Sequence, residues 1–574
     1  MKIEKYIIIG LILANLIPVW AFKFVPTQDG INHVYNAYIL KEYNNPIYTQ
    51  YRQAYYLNIK PFPNWSSHAF FHIALHVMPP LIAEKLFVTI YMVLMPLSFF
   101  YFFYSIEKRL WFLGFLGFLY SYNVLFHLGF YNFAISVPFY FFTLGYWWKH
   151  RFDPNWSRGV ILNLLLIATY FSHLFSFALL LVSIPLLSLT SVILPWQNSL
   201  KQKFWALLKS ILYITPSYII LLICLLLNPE EKTSSYKPFK ELWEFFISVK
   251  SLVYYNDRYV VVSWFLLGLI CLCVLLTLGL KLWALIGRFR GRSERFFDQR
   301  DGFFLLFAVL TLLYFKVPWS YGPPAWINDR VNLFLFPVLA AWFTFGYYRP
   351  IKQLQGNSSA LLSLANSSDT SPLESYSDIS PSANSSNIPL LVNSSNIPPL
   401  AKGGRGDLRV PNADNTFLHL LKIIIAIIII ALSISHLSLT IYDYNLLNKD
   451  MKEFTSGKEL ISGDSSVSII TNDYHYAENH GSIKYLSPFY HDTCYYCFGN
   501  GSHYAGNYEP KYAYFPIHYR EGYWKFEYKG TIDYMLVWNV PDNDPQVVEL
   551  EKSYDLIHKT KNLKLFRHRA VFKK

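Results

Sequence analysis

The residues best suited to chemistry fall just after the first apolar run, in Phe24-Val25-Pro26-Thr27-Gln28-Asp29-Gly30-Ile31-Asn32-His33-Val34-Tyr35-Asn36. Pro26 and Thr27 stop that run, and a new helix is expected to begin around Asp29. Asp29, His33 and Asn36 then stand at i, i+4 and i+7 and share one helical face. A carboxylate so placed can act as a general base toward a hydroxyl or amide. It can also hold a divalent cation such as Mg or Mn, with His33 as a second ligand. Equally, Asp29 can do no more than cap the helix.

Other groups have weaker patterns. His68, His72 and His76 recur at i, i+4 and i+8 in the apolar segment 65–79. Two such histidines can ligate zinc, but no acidic partner is adjacent, and a surface stripe on an interfacial helix explains them as well. His127 lies in Ser121-Tyr122-Asn123-Val124-Leu125-Phe126-His127, and His173 at a junction between apolar runs, where an ionisable group is a site candidate. Arg330, in Ile327-Asn328-Asp329-Arg330-Val331, can clamp a phosphate bidentately, or reach to lipid headgroups or Asp329. His491-Asp492-Thr493-Cys494-Tyr495-Tyr496-Cys497 is open to a redox pair, a local disulfide, two free thiols, or zinc ligation with His503. The aromatic run Tyr504 to Tyr519, with Trp524, can stack on sugars or form a core. Loop 229–260 can be a lid or a connector. Walker, dinucleotide-binding and His-Glu-x-x-His motifs are missing, so a nucleotide-driven pump and a zinc protease have no support.

The elements that must position these groups are membrane spans. Of 574 residues, 53% are hydrophobic and 15% charged, well below the quarter usual in soluble proteins. Apolar windows occur at 6–22, 81–105, 112–126, 133–148, 159–172, 174–195, 207–228, 261–286, 302–317, 331–347 and 418–439, which predicts about eleven transmembrane helices. Basic residues gather in alternate loops, among them Glu107-Lys108-Arg109 and Lys149-His150-Arg151, so the net charge of +13 reads as topology and not as a nucleic-acid footprint. The N-terminus is then cytoplasmic, and the first span is a retained signal anchor in the inner (plasma) membrane. Segment 65–79 is too short to span and is read as a re-entrant or interface-lying helix.

Four regions follow: a transmembrane domain at 1–352 with an outer loop at 23–80, a Ser/Asn/Pro-rich disordered cytoplasmic linker at 353–416, a last span at 417–440, and an extracytoplasmic α+β domain at 441–574. In that last domain, strands are expected at 466–470 and 534–538. A terminal helix is expected from Val547 to Lys559, with a strand after it. The linker stretch Pro398 to Gly406 resembles a translated mobile repeat common in cyanobacterial reading frames.

One span, a long outer loop opening on an acid, alternating spans and a terminal extracytoplasmic domain together resemble the GT-C superfamily. Its members are glycosyltransferases that take sugar from a polyprenyl-phosphate donor. The resemblance implies that Asp29 is catalytic base or metal ligand, and that Arg330 binds the donor phosphate. His33, His127 and His173 would line the substrate cleft, with the bilayer and a glycan, lipid or protein acceptor as partners. Where many members carry an acid in the second outer loop, this chain has His127. A transporter or flippase of a lipid-linked or anionic substrate, and a non-catalytic surface-polysaccharide assembly factor, are the competing classes.

Overall fold

A computed structural model describes residues 2–194, 199–226, 233–289, 297–322, 325–345, 413–471, 483–512, 515–523 and 531–573. Most of the linker, Trp524 and Glu230-Glu231-Lys232 lie outside them. Residues 1–280, 297–345 and 421–574 form one compact unit. A second unit comprises 281–296 and 346–420, of which the described parts are helix ends at 281–289 and 413–420.

The chain is mostly helical. Among the described residues, seven helical stretches are long and apolar enough to cross a membrane: Glu4–Ala21, Pro80–Ile106, Lys108–His127, Leu174–Ile193, Leu207–Leu226, Arg258–Gly287 and Thr416–Leu460. Leu212, Ile219 and Leu222 stand more than half exposed along one of them, as lipid-facing side chains do. The other four expected spans are also helices: Tyr131–His150, Trp156–Ser172, Asp301–Lys316 and Ile327–Ala340. The shortest has 14 residues. At 1.5 Å per residue it reaches only about 21 Å, so length alone does not carry it across a core of about 30 Å.

Two expectations about the spans change. The window 112–126 is a 3₁₀ turn (Lys108–Phe115), a short helix (Leu116–Ser121) and a second short helix (Val124–His127), not one rod. The break comes at Tyr122-Asn123, where Asn123 turns extended and its side chain accepts from the Phe126 N–H at 3.0 Å. The last span, expected to end near 440, continues to Phe454. It carries Asp443, Tyr444 and Asn448 as buried anchors for the loops around it.

The terminal region holds a mixed five-stranded sheet in the order His503–Tyr504, Ser466–Thr471, Tyr534–Trp538, Leu563–His568, Tyr554–Lys559. The first three run parallel and the last two form an antiparallel hairpin on them. The helix expected over Val547–Lys559 ends instead at Glu551, after Asp544 caps its start. Tyr554–Lys559 then turns to strand, because Leu563–His568 offers it a pairing edge with a bulge at Leu556/His558.

This sheet is not a detached appendage. Loop 23–80 reaches into the terminal region through strand Tyr55–Leu57, which pairs antiparallel with Ile517–Tyr519 in a separate two-stranded sheet. The Tyr35 hydroxyl also donates to the Ser502 carbonyl at 2.8 Å.

Candidate functional site

The helix Gly30–Glu42 begins where expected, and Asp29 stands at its cap position. Its carboxylate nevertheless makes no cap hydrogen bond. It is 4% exposed and turned toward the terminal region. Oδ2 accepts from the Tyr508 hydroxyl at 2.9 Å, and Oδ1 stands 3.6 Å from His491 Nε2. The capping alternative is therefore not the one adopted.

Backbone contacts fix this acid. The Gln28 and Asp29 N–H groups donate to the carbonyls of His127 and Leu128 at 2.9 and 3.1 Å. Gly129, at φ +81°, lies so close that a Cβ there would sit 2.3 Å from Gly30 N and 2.5 Å from Asp29 N. Gly30 is equally constrained, because its missing Cβ leaves room for the Tyr131 hydroxyl. Tyr131 in turn donates to Glu84 Oε1 at 2.7 Å.

One turn along the helix, His33 and Asn36 meet Glu509, a fully buried acid from the terminal region. His33 Nδ1 is 3.0 Å from Glu509 Oε1, and Asn36 donates to Glu509 Oε2. His68, from the helix Ser66–Ala74, brings Nε2 to 3.6 Å from Glu509 Oε2, with its ring 5.2 Å from that of His33. The donor atoms of His33, His68 and Glu509 all lie within 4.8 Å of one another, so these three can hold a metal ion. The rest of the expected histidine stripe parts company. The helix ends at Ala74, leaving His72 half-buried and His76 exposed.

Charge is tuned by this burial. Desolvation pushes the Asp29 carboxyl up to about 7, although the Tyr508 hydrogen bond pulls the other way. For Glu509, burial would also raise the value, but the His33 and His68 imidazoles overcome it and bring the group down to about 2. His33 moves up despite its burial because Glu509 faces it, whereas burial moves His68 down. The cluster thus pairs one firmly ionised acid with another poised near neutrality.

The remaining sequence candidates surround this centre. His127 is fully buried and stacked on Tyr254 at 3.8 Å, its Nδ1 on the Asn123 carbonyl and its Nε2 3.3 Å from the Tyr444 hydroxyl. Both ring nitrogens are engaged, so it builds the wall behind Asp29. His173 caps the helix Leu174–Ile193 by accepting from the Phe175 N–H at 3.1 Å. Arg330, on the helix Ile327–Ala340, lies over the Phe130 and Phe133 rings at 5.1 and 5.5 Å. The segment 127–133 therefore touches Asp29 on one side and Arg330 on the other.

Loop 229–260 is packed as a connector over its described part. Tyr255 donates to the Pro26 carbonyl at 2.5 Å, and Lys484 pairs with Asp257 at 2.8 Å. Cys494 and Cys497 are free thiols, fully buried and pushed up by desolvation, with Cys494 Sγ 3.5 Å from Asn32 Oδ1. A small cavity of about 20 Å³ lies elsewhere, among the helices. Its walls are mostly aliphatic and aromatic, Leu116, Leu266, Phe336 and Ile429 among them, with Tyr120 and Cys273 the polar exceptions.

Sequence reading missed Glu509, Tyr508 and Glu84. The last carries a readable signal: an acid four residues into an apolar span, here 1% exposed. Glu509 stands inside an aromatic run, where its burial is legible only once its imidazole partners are known. No protein-family model matches the chain, and no curated protein matches it.

Proposed function

We propose that this chain is a membrane glycosyltransferase of GT-C type, moving a sugar from a polyprenyl-phosphate donor to an acceptor at the outer membrane boundary. In this reading eleven helices span an inner membrane, the N-terminus is cytoplasmic and the terminal domain faces outward. The observation that carries it is Asp29: an acid at a helix start that leaves its cap unmade and is held, buried, between Tyr508 and His491. The carboxylate takes the proton of the acceptor hydroxyl as the acceptor oxygen bonds to the sugar's anomeric carbon. The bond from that carbon to phosphate breaks, and Arg330 holds the departing polyprenyl phosphate.

The test is transfer from a radiolabelled polyprenyl-phosphate hexose in proteoliposomes, with host membrane extract as acceptor. Asp29→Asn should lose roughly 10²- to 10⁴-fold in turnover. An Asp29→Asn protein as active as wild type removes the assigned base. Among the described residues, the broken helix at Tyr122-Asn123 favours a transporter instead, since interrupted helices build substrate sites there. Uptake of the intact lipid-linked sugar, chemically unchanged, would support that alternative.

A further inference from the structure

The trio His33, His68 and Glu509 brings two imidazoles and a carboxylate together in a buried place where several of their polar atoms lack an aligned hydrogen bond. His33 Nδ1 and Glu509 Oε1 are 3.0 Å apart, yet neither has an aligned hydrogen bond. Both ring nitrogens of His68 likewise lack one, although this side chain is wholly buried. Leaving buried polar atoms so is costly, and such groups ordinarily find partners.

A bound cation would take up His33 Nδ1, a Glu509 oxygen and one ring nitrogen of His68 together. Donors at about 2.0–2.2 Å from one tetrahedral ion stand roughly 3.3–3.6 Å from each other. His68 Nε2 stands 3.6 Å from Glu509 Oε2 and His33 Nδ1 3.0 Å from Oε1, and one donor atom from each of the three residues lies within 4.8 Å of the others, so a small shift centres them on one ion. Two imidazoles with one carboxylate suit a borderline ion such as zinc, whereas Mg and Ca favour all-oxygen sets. The surroundings are those of a metal site too. Asn36 donates to Glu509 Oε2 and is itself held by Asn507 at 2.6 Å, a relay that orients the carboxylate.

We propose that His33, His68 and Glu509 form a zinc site that fastens the terminal domain to loop 23–80. Each ligand comes from a separate segment: the helix Gly30–Glu42, the helix Ser66–Ala74 and the turn Glu509–Lys511. The ion closes contacts that the chain makes over more than 400 residues of sequence separation. It leaves Asp29 just outside the ligand set. The site stands whether or not the chain transfers sugar.

The experiment uses the full chain, purified in detergent through a tag without histidines and grown in zinc-replete medium. Elemental analysis should find one zinc per chain, kept in His76→Ala and lost in His68→Ala and Glu509→Gln. Asn36→Ala, which removes only the orienting amide, should weaken zinc roughly 10- to 100-fold. Because ligand variants can misfold, a second arm uses wild type alone. A strong chelator should lower the melting temperature by several degrees, and zinc but not magnesium should restore it. Wild type that carries no stoichiometric zinc, or whose melting is indifferent to chelator and zinc, overturns the proposal. Zinc-replete protein without glycosyl transfer would refute the proposed activity and leave this site intact.

Discussion

Replacing Gly129 by alanine offers a direct test of how Asp29 is held. Two effects act at this position. The first is backbone strain, since φ is +81° and an L residue there costs about 1–2 kcal/mol. The second is the contact. An added Cβ would meet Gly30 N at 2.3 Å and Asp29 N at 2.5 Å, where ordinary contact begins at 3.4 Å. The neighbouring backbone must retreat by about 1 Å, and it is this backbone that carries the Asp29 carboxylate.

Gly499 separates the two effects. It has the same φ of +81° and nothing within 4 Å of its missing Cβ, so Gly499→Ala reports strain alone. Thermal melts of both variants in one detergent should show Gly129→Ala falling well beyond Gly499→Ala. Misplacing a reacting group by about 1 Å can cost on the order of 10²-fold in rate, so transfer should drop in Gly129→Ala and persist in Gly499→Ala. Equal melting and equal activity in the two would refute the argument that close approach at Gly129 positions the acid.

Two further outcomes follow from buried groups outside the spans. Lys250 is 8% exposed, packed over the Tyr485 ring at 3.4 Å, and desolvation lowers it from 10.5 to about 8 even with Asp329 and Asp257 nearby. Below pH 8 the amine is charged in both folded and unfolded chains. Between pH 8 and 10.5 the unfolded chain alone keeps the proton, so stability rises with pH relative to Lys250→Met, by up to about 3 kcal/mol. Paired melts at pH 7 and pH 10 measure it, and a constant difference would contradict the burial argument. Cys494 and Cys497, buried and held as thiols, should resist a hydrophilic maleimide in the folded protein and react after denaturation. Rapid labelling of the native protein would reopen a redox role.

Part of this site was legible from helical spacing alone. Asp29, His33 and Asn36 had to share a face once a helix began near Asp29, because four- and seven-residue steps return to the same side. What they face was not legible. Glu509 lies 473 residues from Asn36, and no local pattern announces a contact so distant. The histidine stripe shows the opposite error. Periodicity assigned one fate to His68, His72 and His76, but the helix stops at Ala74 and only His68 is inside. The apolar window 112–126 misled for a similar reason. Hydropathy does not register that Asn123 can close a turn with its own side chain, nor that at Gly117 the segment packs so closely that an added Cβ would sit 2.5 Å from Pro96 Cα.

The position of Glu509 also bears on the terminal region as a whole. An ionised acid held with no solvent exposure is tolerable only while its partners stay in place, because an unpaired buried charge is severely destabilising. A domain that docked and released, as a recruiting surface would, must desolvate Glu509 and Asp29 afresh at every cycle. The joint is instead built to persist: strand Tyr55–Leu57 pairs with Ile517–Tyr519, Asn58 donates to the Phe515 carbonyl at 2.9 Å, and Tyr35 bonds both Ser502 and Tyr504. The terminal region therefore belongs to the site that contains Asp29. Tyr508 and His491, both from that region, stand directly against the Asp29 carboxylate.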